Sequence, residues 1–132
     1  MESGSLACQR GEIIYTLTIP GRPKPKKRPR VTKSHTYNPN QKAENFILAK
    51  WVEKHGQVKI EGDIEMVCGF YYSDKRVADT SNLIKLVEDG ISNSGGDKNE
   101  YKPFNDRQIT KLHGYRVTGR DEEKTIIVIR EV

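Results

Sequence analysis

Acidic residues are missing from a long stretch of this chain. None lies between Glu12 and Glu44, whereas Arg22, Lys24, Lys26, Lys27, Arg28, Arg30, Lys33 and Lys42 are all basic. Cysteine is scarce: Cys8 and Cys68 stand alone, which excludes a disulfide framework and any paired-thiolate metal motif. Histidine is scarce too, and His35, His55 and His113 are too scattered for a zinc site. No run approaches the roughly 20 apolar residues that a membrane-spanning helix needs. Met1–Arg10 lacks the apolar middle of a secretory signal. These absences point to a cytoplasmic protein with no membrane partner.

What is present is polar but patterned. Apolar residues make up 34% of the chain and charged residues 31%. The apolar ones gather in periodic runs, as a folded chain requires and a disordered one does not. At 132 residues the chain can build one modest core. A single domain over residues 1–132 is expected, with 1–11 as a flexible N-terminal extension. Most of the acids lie from Glu61 onward, so one region attracts anions while another suits cations.

Ile13–Ile19 is rich in β-branched and aromatic residues and ends at Pro20-Gly21, which predicts a strand and a turn. Pro23, Pro25 and Pro29 exclude a helix from the following stretch and hold it extended. Pro39-Asn40 opens a predicted helix that runs to Gly56, its apolar face made by Ala43, Phe46, Ile47, Ala49 and Trp51. Ile64–Tyr72 reads as a second strand. A second helix runs from Asn82 to about Ile91, with Leu83, Leu86, Val87 and Gly90 inward and Lys85, Glu88 and Asp89 outward. Ser92–Pro103 reads as a loop without packing capacity. Strands at Gln108–Val117 and Lys124–Arg130 follow, joined at Thr118–Asp121 with a hairpin-like composition. The order β-α-β-α-β-β predicts an α/β (α+β) fold in two layers, one mixed sheet covered by two helices.

The run Gly21–Arg30, GRPKPKKRPR, has six cations in ten residues. Because prolines keep it extended, the charges cannot collapse together. Six phosphate contacts of this kind would weaken about 10³-fold between 50 and 200 mM salt. A solvated charge run, or a localisation signal of the PKKRPR type, is the plainer explanation. Its place between a strand and a helix, rather than on a tail, favours nucleic-acid contact through Arg22, Lys24, Lys26, Lys27, Arg28, Arg30 and Lys33.

Asp79-Thr80-Ser81-Asn82-Leu83-Ile84-Lys85 sets a carboxylate before the second helix and an ammonium within two turns of it. Asp, Thr, Ser and Asn are all good helix caps, so capping alone explains Asp79. Ser81, Lys85 and Asp89 recur at i, i+4 and i+8 on one face, where a surface Lys85–Asp89 pair is the plain alternative to a site. Asp106 follows a loop and suits a turn.

Three stretches in this order resemble the RusA-like Holliday junction resolvases, small endodeoxyribonucleases common in phages and prophages. They are Ile19–Arg30, Asp79–Lys85 with Asp89 beyond, and Phe104-Asn105-Asp106-Arg107-Gln108-Ile109. The resemblance implies Asp79 and Asp106 as Mg²⁺ ligands, with Mn²⁺ a substitute, and Lys85 as the catalytic lysine. It also implies a homodimer acting on branched DNA such as four-way junctions. A hard cation that keeps several waters and takes one or two carboxylates agrees with that assignment.

Two positions depart from the pattern. Ser81 stands where the family has its second carboxylate, and Asn105 where it has the first of a paired Asp-Asp. Both changes remove negative charge, so Ser81 through water, Asp89 or Glu88 would have to supplement the ligands. A rival reading is a branched-DNA-binding module without catalysis. A ribosomal-type RNA-binding protein fits size and charge but leaves Asp79, Lys85 and Asp106 without a role.

Overall fold

The computed structural model describes residues 13–27, 30–31, 36–37, 39–93 and 100–132. The proposed extension at 1–11, and the expected DNA contacts at Arg28 and Lys33, lie outside these residues, as does the side chain of Arg30.

In chain order the elements are β1 (Ile14–Pro20), two-residue strands β2 (Arg30–Val31) and β3 (Thr36–Tyr37), α1 (Gln41–His55) and β4 (Ile64–Tyr71). Next come α2 (Thr80–Ile91), short strands β5 (Ser92–Asn93) and β6 (Phe104–Asn105), a 3-10 turn at Asp106–Gln108, β7 (Ile109–Val117) and β8 (Lys124–Glu131). The main sheet has the order β1-β8-β4-β7. Its β1–β8 and β8–β4 pairs are antiparallel and its β4–β7 pair is parallel, so the sheet is mixed. The two helices pack on each other, α1 beside β1 and α2 beside β7. The α+β class expected from the sequence is the one observed.

Period-two patterning explains which strand residues enter the core. Ile64, Met66, Cys68 and Phe70 of β4, Ile127 and Ile129 of β8, and Leu17 and Ile19 of β1 are buried beneath the helices. Leu83, Leu86, Val87 and Ile91 of α2, with Ile47 and Trp51 of α1, close the core from above. The Trp51 ring is fully buried, and its indole N–H donates to the Tyr101 hydroxyl at 3.1 Å. That hydroxyl donates onward to the Val58 carbonyl at 2.6 Å, so the one polar atom of the ring is satisfied. Gly56 ends α1 at φ +74°, a conformation that favours glycine, and returns its N–H to the Val52 carbonyl.

Four expectations need correction. The Thr118–Asp121 turn does not join neighbouring strands, because β4 lies between β7 and β8. The connection passes the end of β4, where the Tyr72 amide donates to Val117 and the Arg120 amide donates to Tyr72. Turn composition encodes a reversal but not which strand fills the gap. The ends of Ser92–Pro103 do pack: β5 pairs with β6, and Ser92 and Pro103 are buried. On α1, Phe46 and Ala49 are exposed, and the inward stripe is Glu44, Ile47 and Trp51. On α2, Lys85 is exposed as expected, but Glu88 and Asp89 are half-buried beneath neighbouring segments.

Candidate active site

Helix α2 organises the site, and the residue at its N-cap settles one question. Asp79 is the N-cap, in extended backbone conformation (φ −61°, ψ 135°), yet its side chain makes no cap hydrogen bond. Only its carbonyl serves the helix, accepting from the Leu83 amide at 3.1 Å. The capping explanation for this carboxylate is therefore not what the structure shows. Asp79 is exposed, as are Ser81 and Lys85 further along. From β7, the Arg116 guanidinium donates to the Ala78 carbonyl at 2.8 Å and holds the approach to the helix.

The far end of α2 is tied to the segment carrying Asp106. Lys102 donates to the Asp89 and Gly90 carbonyls at 3.1 and 3.0 Å, satisfying two of the last carbonyls of the helix. Strand β5 then leaves the helix and pairs in parallel with β6, Asn93 opposite Asn105. Asn105 caps the 3-10 turn: its side chain accepts from the Arg107 amide, while the Gln108 side chain accepts from the Asn105 amide at 2.7 Å. Gln108 is itself anchored on the Ile60 and Gly62 carbonyls, both at 2.8 Å. This scaffold presents Asp106 half-buried and within electrostatic reach of Glu88 on α2.

Glu88 lies in the same neighbourhood. Burial raises its pKa above the usual carboxylate range; Lys85 opposes the shift, and the charges of Asp89 and Asp106 add to it. Below it, burial in β4 pushes the Cys68 thiol up to about 12, with Glu88 contributing. That thiol has neither the charge nor the exposure of a nucleophile. Asp79, Glu88 and Asp106 form no ion pair or side-chain hydrogen bond with any described residue. Asp89 differs, since it is paired with Lys26 and lies 3.9 Å from Lys85.

The cationic loop docks on this helix. The Lys26 amide donates to the Asn82 carbonyl at 3.0 Å, and Asn40 at the start of α1 bonds both the amide and the carbonyl of Lys27. Arg22 is committed within the protein: it pairs with Glu123 at 2.6 Å and Asp74 at 3.1 Å, donates to the Arg76 carbonyl and covers the Tyr72 ring. Lys26 is likewise engaged, by Asp89 and by Glu44 at 3.4 Å. Lys24 and Lys27 remain exposed. Of the expected DNA contacts within the described residues, these two are outward while Arg22 and Lys26 brace the loop.

The structure thus sets Lys85, Glu88 and Asp89 on one stretch of α2 with Asp106 within electrostatic reach of Glu88, and Lys26 is paired with Asp89. Asp79 and Ser81 belong to the other end of the helix. Asp79 stands nine residues before Glu88, about 13 Å along the axis at 1.5 Å per residue. Among the described residues no three His, Cys, Asp or Glu side chains are gathered into a metal cage. The oxygen donors Asp79, Glu88 and Asp106, which make no ion pair with any described residue, do suit a hard cation held by one or two carboxylates and otherwise by water. Glu88 is the residue that sequence reading underweighted. Its signal was its position, one turn beyond Lys85 on α2.

A cationic loop set on a lysine-bearing helix, with carboxylates at both ends of that helix, suits a protein that handles a polyanion. The family can be stated more narrowly. The family model for the endodeoxyribonuclease RusA matches residues 20–130, which take in the loop, both helices, β4, β7 and all but the last residue of β8, and reach only Pro20 of β1. The chain belongs to that family, whose activity is endonucleolytic cleavage of Holliday junctions. Among curated proteins nothing matches the chain. No helix among the described residues is long and apolar enough to cross a membrane.

Proposed function

We propose that this protein is a divalent-cation-dependent, structure-selective endonuclease that resolves four-way or otherwise branched DNA, with Mg²⁺ the natural ion and Mn²⁺ a substitute. The observation that carries the reading is the seating of the cationic loop on the first turn of α2 through Lys26 and Asn82. Backbone phosphates gripped by Lys24 and Lys27 would then run along the helix that bears Lys85.

In this reading Asp79 and Asp106 are cation ligands at separate seats, and Glu88 adds an oxygen donor beside Asp106. The 13 Å interval along α2 means that Asp106 with Glu88 makes one seat and Asp79 a separate one. When bound, the ion supplies a more acidic water and shields phosphate charge. Lys85, an exposed ammonium four residues before Asp89, stabilises negative charge that builds on the phosphate or the leaving oxygen. Asn105 and Gln108 keep the Asp106 backbone fixed, so the carboxylate is placed before DNA arrives. Contacts of this kind read shape and backbone rather than sequence. A four-way junction has two-fold symmetry, so paired nicks call for a homodimer with two sites, acting in the cytoplasm where the DNA is.

The test is cleavage of a synthetic four-way junction in Mg²⁺. Symmetric nicks are expected, lost in Asp79→Asn, Asp106→Asn and Lys85→Ala while junction binding persists. Ser81 and Asn105, which stand where the family pattern has acids, favour one rival, a junction-binding protein without catalysis. Tight binding with no nick in Mg²⁺ or Mn²⁺ would establish that rival instead.

A further inference from the structure

Lys26 occupies an unusual position for a residue of a DNA-binding loop. Its backbone is bonded to α2 at Asn82, near the start of the helix, and its ammonium reaches Asp89, seven residues later. The same ammonium lies 3.4 Å from Glu44, on the inward face of α1. One side chain therefore runs beside α2 and joins both helices to the loop. The next residue is fixed as well, since the Asn40 side chain bonds the Lys27 amide at 2.7 Å and its carbonyl at 2.8 Å.

Burial works against the Lys26 charge, yet the two carboxylates more than offset it and hold its pKa above the ordinary lysine value. Only about a quarter of its side-chain surface is exposed, against 56% for Lys85. Phosphate competing for Lys26 would have to strip it from two carboxylates. It would also leave the buried Glu44 and the half-buried Asp89 without this cation, which is costly. Lys24 and Lys27 carry no such commitment.

We propose that Lys26 and Asp89 are positioning residues: the pair locks the phosphate-gripping loop to the helix carrying Lys85, so that DNA held by Lys24 and Lys27 is presented in fixed register to the reacting groups. Asp89 is then an anchor for the loop and not a metal ligand. The inference rests on the nuclease reading for its catalytic consequence, though the lock itself is independent of it.

Two variants and a control test it: Asp89→Asn, Lys26→Met and the conservative Lys26→Arg, each first shown to unfold at a temperature near that of the parent. At saturating junction, Asp89→Asn and Lys26→Met should each slow cleavage by about tenfold to a hundredfold, the loss expected when reacting groups are slightly misplaced. Lys26→Arg should stay near the parent rate, and the double variant should be no slower than the worse single one. Asp89→Asn removes an anion, so junction affinity should hold or rise while the rate falls. Mg²⁺ affinity measured by calorimetry without DNA should be unchanged. Trypsin should cut after Lys27 faster in both variants.

Loss of Mg²⁺ affinity in Asp89→Asn but not in Lys26→Met would make Asp89 a ligand and overturn the proposal. A fall of about 0.9 in the salt slope of binding for Lys26→Met alone would make Lys26 a phosphate contact and overturn it too. So would unchanged proteolysis together with unchanged rates. If the parent protein cuts no junction, the nuclease reading fails, and proteolysis and Mg²⁺ binding still decide whether the lock exists.

Discussion

Gly114 sits in β7 directly opposite Cys68 of β4 and beneath the first turns of α2. A methyl group there would stand within 3.0 Å of two carbons of the Ile84 side chain and at 3.0 Å from Thr80 Cγ2. Ile84 cannot swing away cheaply, because β-branched side chains in helices hold one χ1 rotamer. Gly114→Ala therefore sets two effects against each other. Removing glycine from ordinary strand backbone stabilises by about 0.4–1 kcal/mol through the unfolded chain. Overpacking this contact costs about 1–3 kcal/mol. The second should win, lowering the unfolding temperature by several degrees at about 4 °C per kcal/mol. Because α2 must lift from the sheet to relieve the clash, cleavage should fall further than stability does. Thermal unfolding followed by circular dichroism, with junction cleavage well below the midpoint, reads both. Pairing the change with Ile84→Ala removes the closest atoms, so the double variant should be more stable than the sum of the singles predicts. A Gly114→Ala protein as stable as the parent would show that α2 has slack over β7, and the packing argument would be wrong.

Three further outcomes can be checked. In a Cys8→Ser background the remaining Cys68 thiol, buried and raised to about 12, should resist thiol reagents at pH 8 until the protein unfolds; fast native labelling would contradict that burial. Tyr101→Phe removes the acceptor of the Trp51 N–H and the donor to Val58, and should cost about 1–3 kcal/mol in urea unfolding; a neutral result would mean that water replaces both bonds. Glu65 is held below the usual carboxylate range chiefly by the Arg130 guanidinium, Asp74 by the Arg76 amide and Arg22, and Glu123 by the Ser73 amide and Arg22. For depressed carboxylates the stabilisation is complete above the unfolded pKa, near 4.5 for Glu and 3.8 for Asp, and is lost as pH falls through the lower folded values. Urea midpoints should therefore drop below about pH 4.5, and Arg22→Gln should blunt the part that Asp74 and Glu123 provide.

The strands and helices were legible because their patterns are local. Ile64 to Cys68 alternates cleanly, and Asn40 and Gly56 bracket α1. Glu44 misled the reading of α1, since a charged residue marks a solvent face unless a partner such as Lys26 comes from elsewhere in the chain. The strand order was not legible either: nothing in Thr118–Asp121 says that β4 will occupy the space beside β8. The site divides in the same way. Asp79, Lys85 and Asp106 stand out by spacing and resemblance. That Asp89 serves Lys26 while Glu88 neighbours Asp106 depends on contacts between segments distant in sequence. The charge run also said nothing of Arg22 being consumed by Glu123 and Asp74.

The place of β8 between β1 and β4 has a consequence for how the molecule comes into being. Ile14 meets Arg130 and Pro20 meets Lys124, so every bond of the β1 ladder closes a loop of more than 100 residues. Such closures are entropically dear and slow, and they come late in folding. During synthesis β1 and β4 emerge first, but the strand that bridges them is the last element of the sheet to be made. A ribosome-tethered chain halted before Lys124 should thus expose two unpaired strand edges and stay protease-sensitive. Release of the final eight-residue strand should be the event that renders the whole sheet resistant.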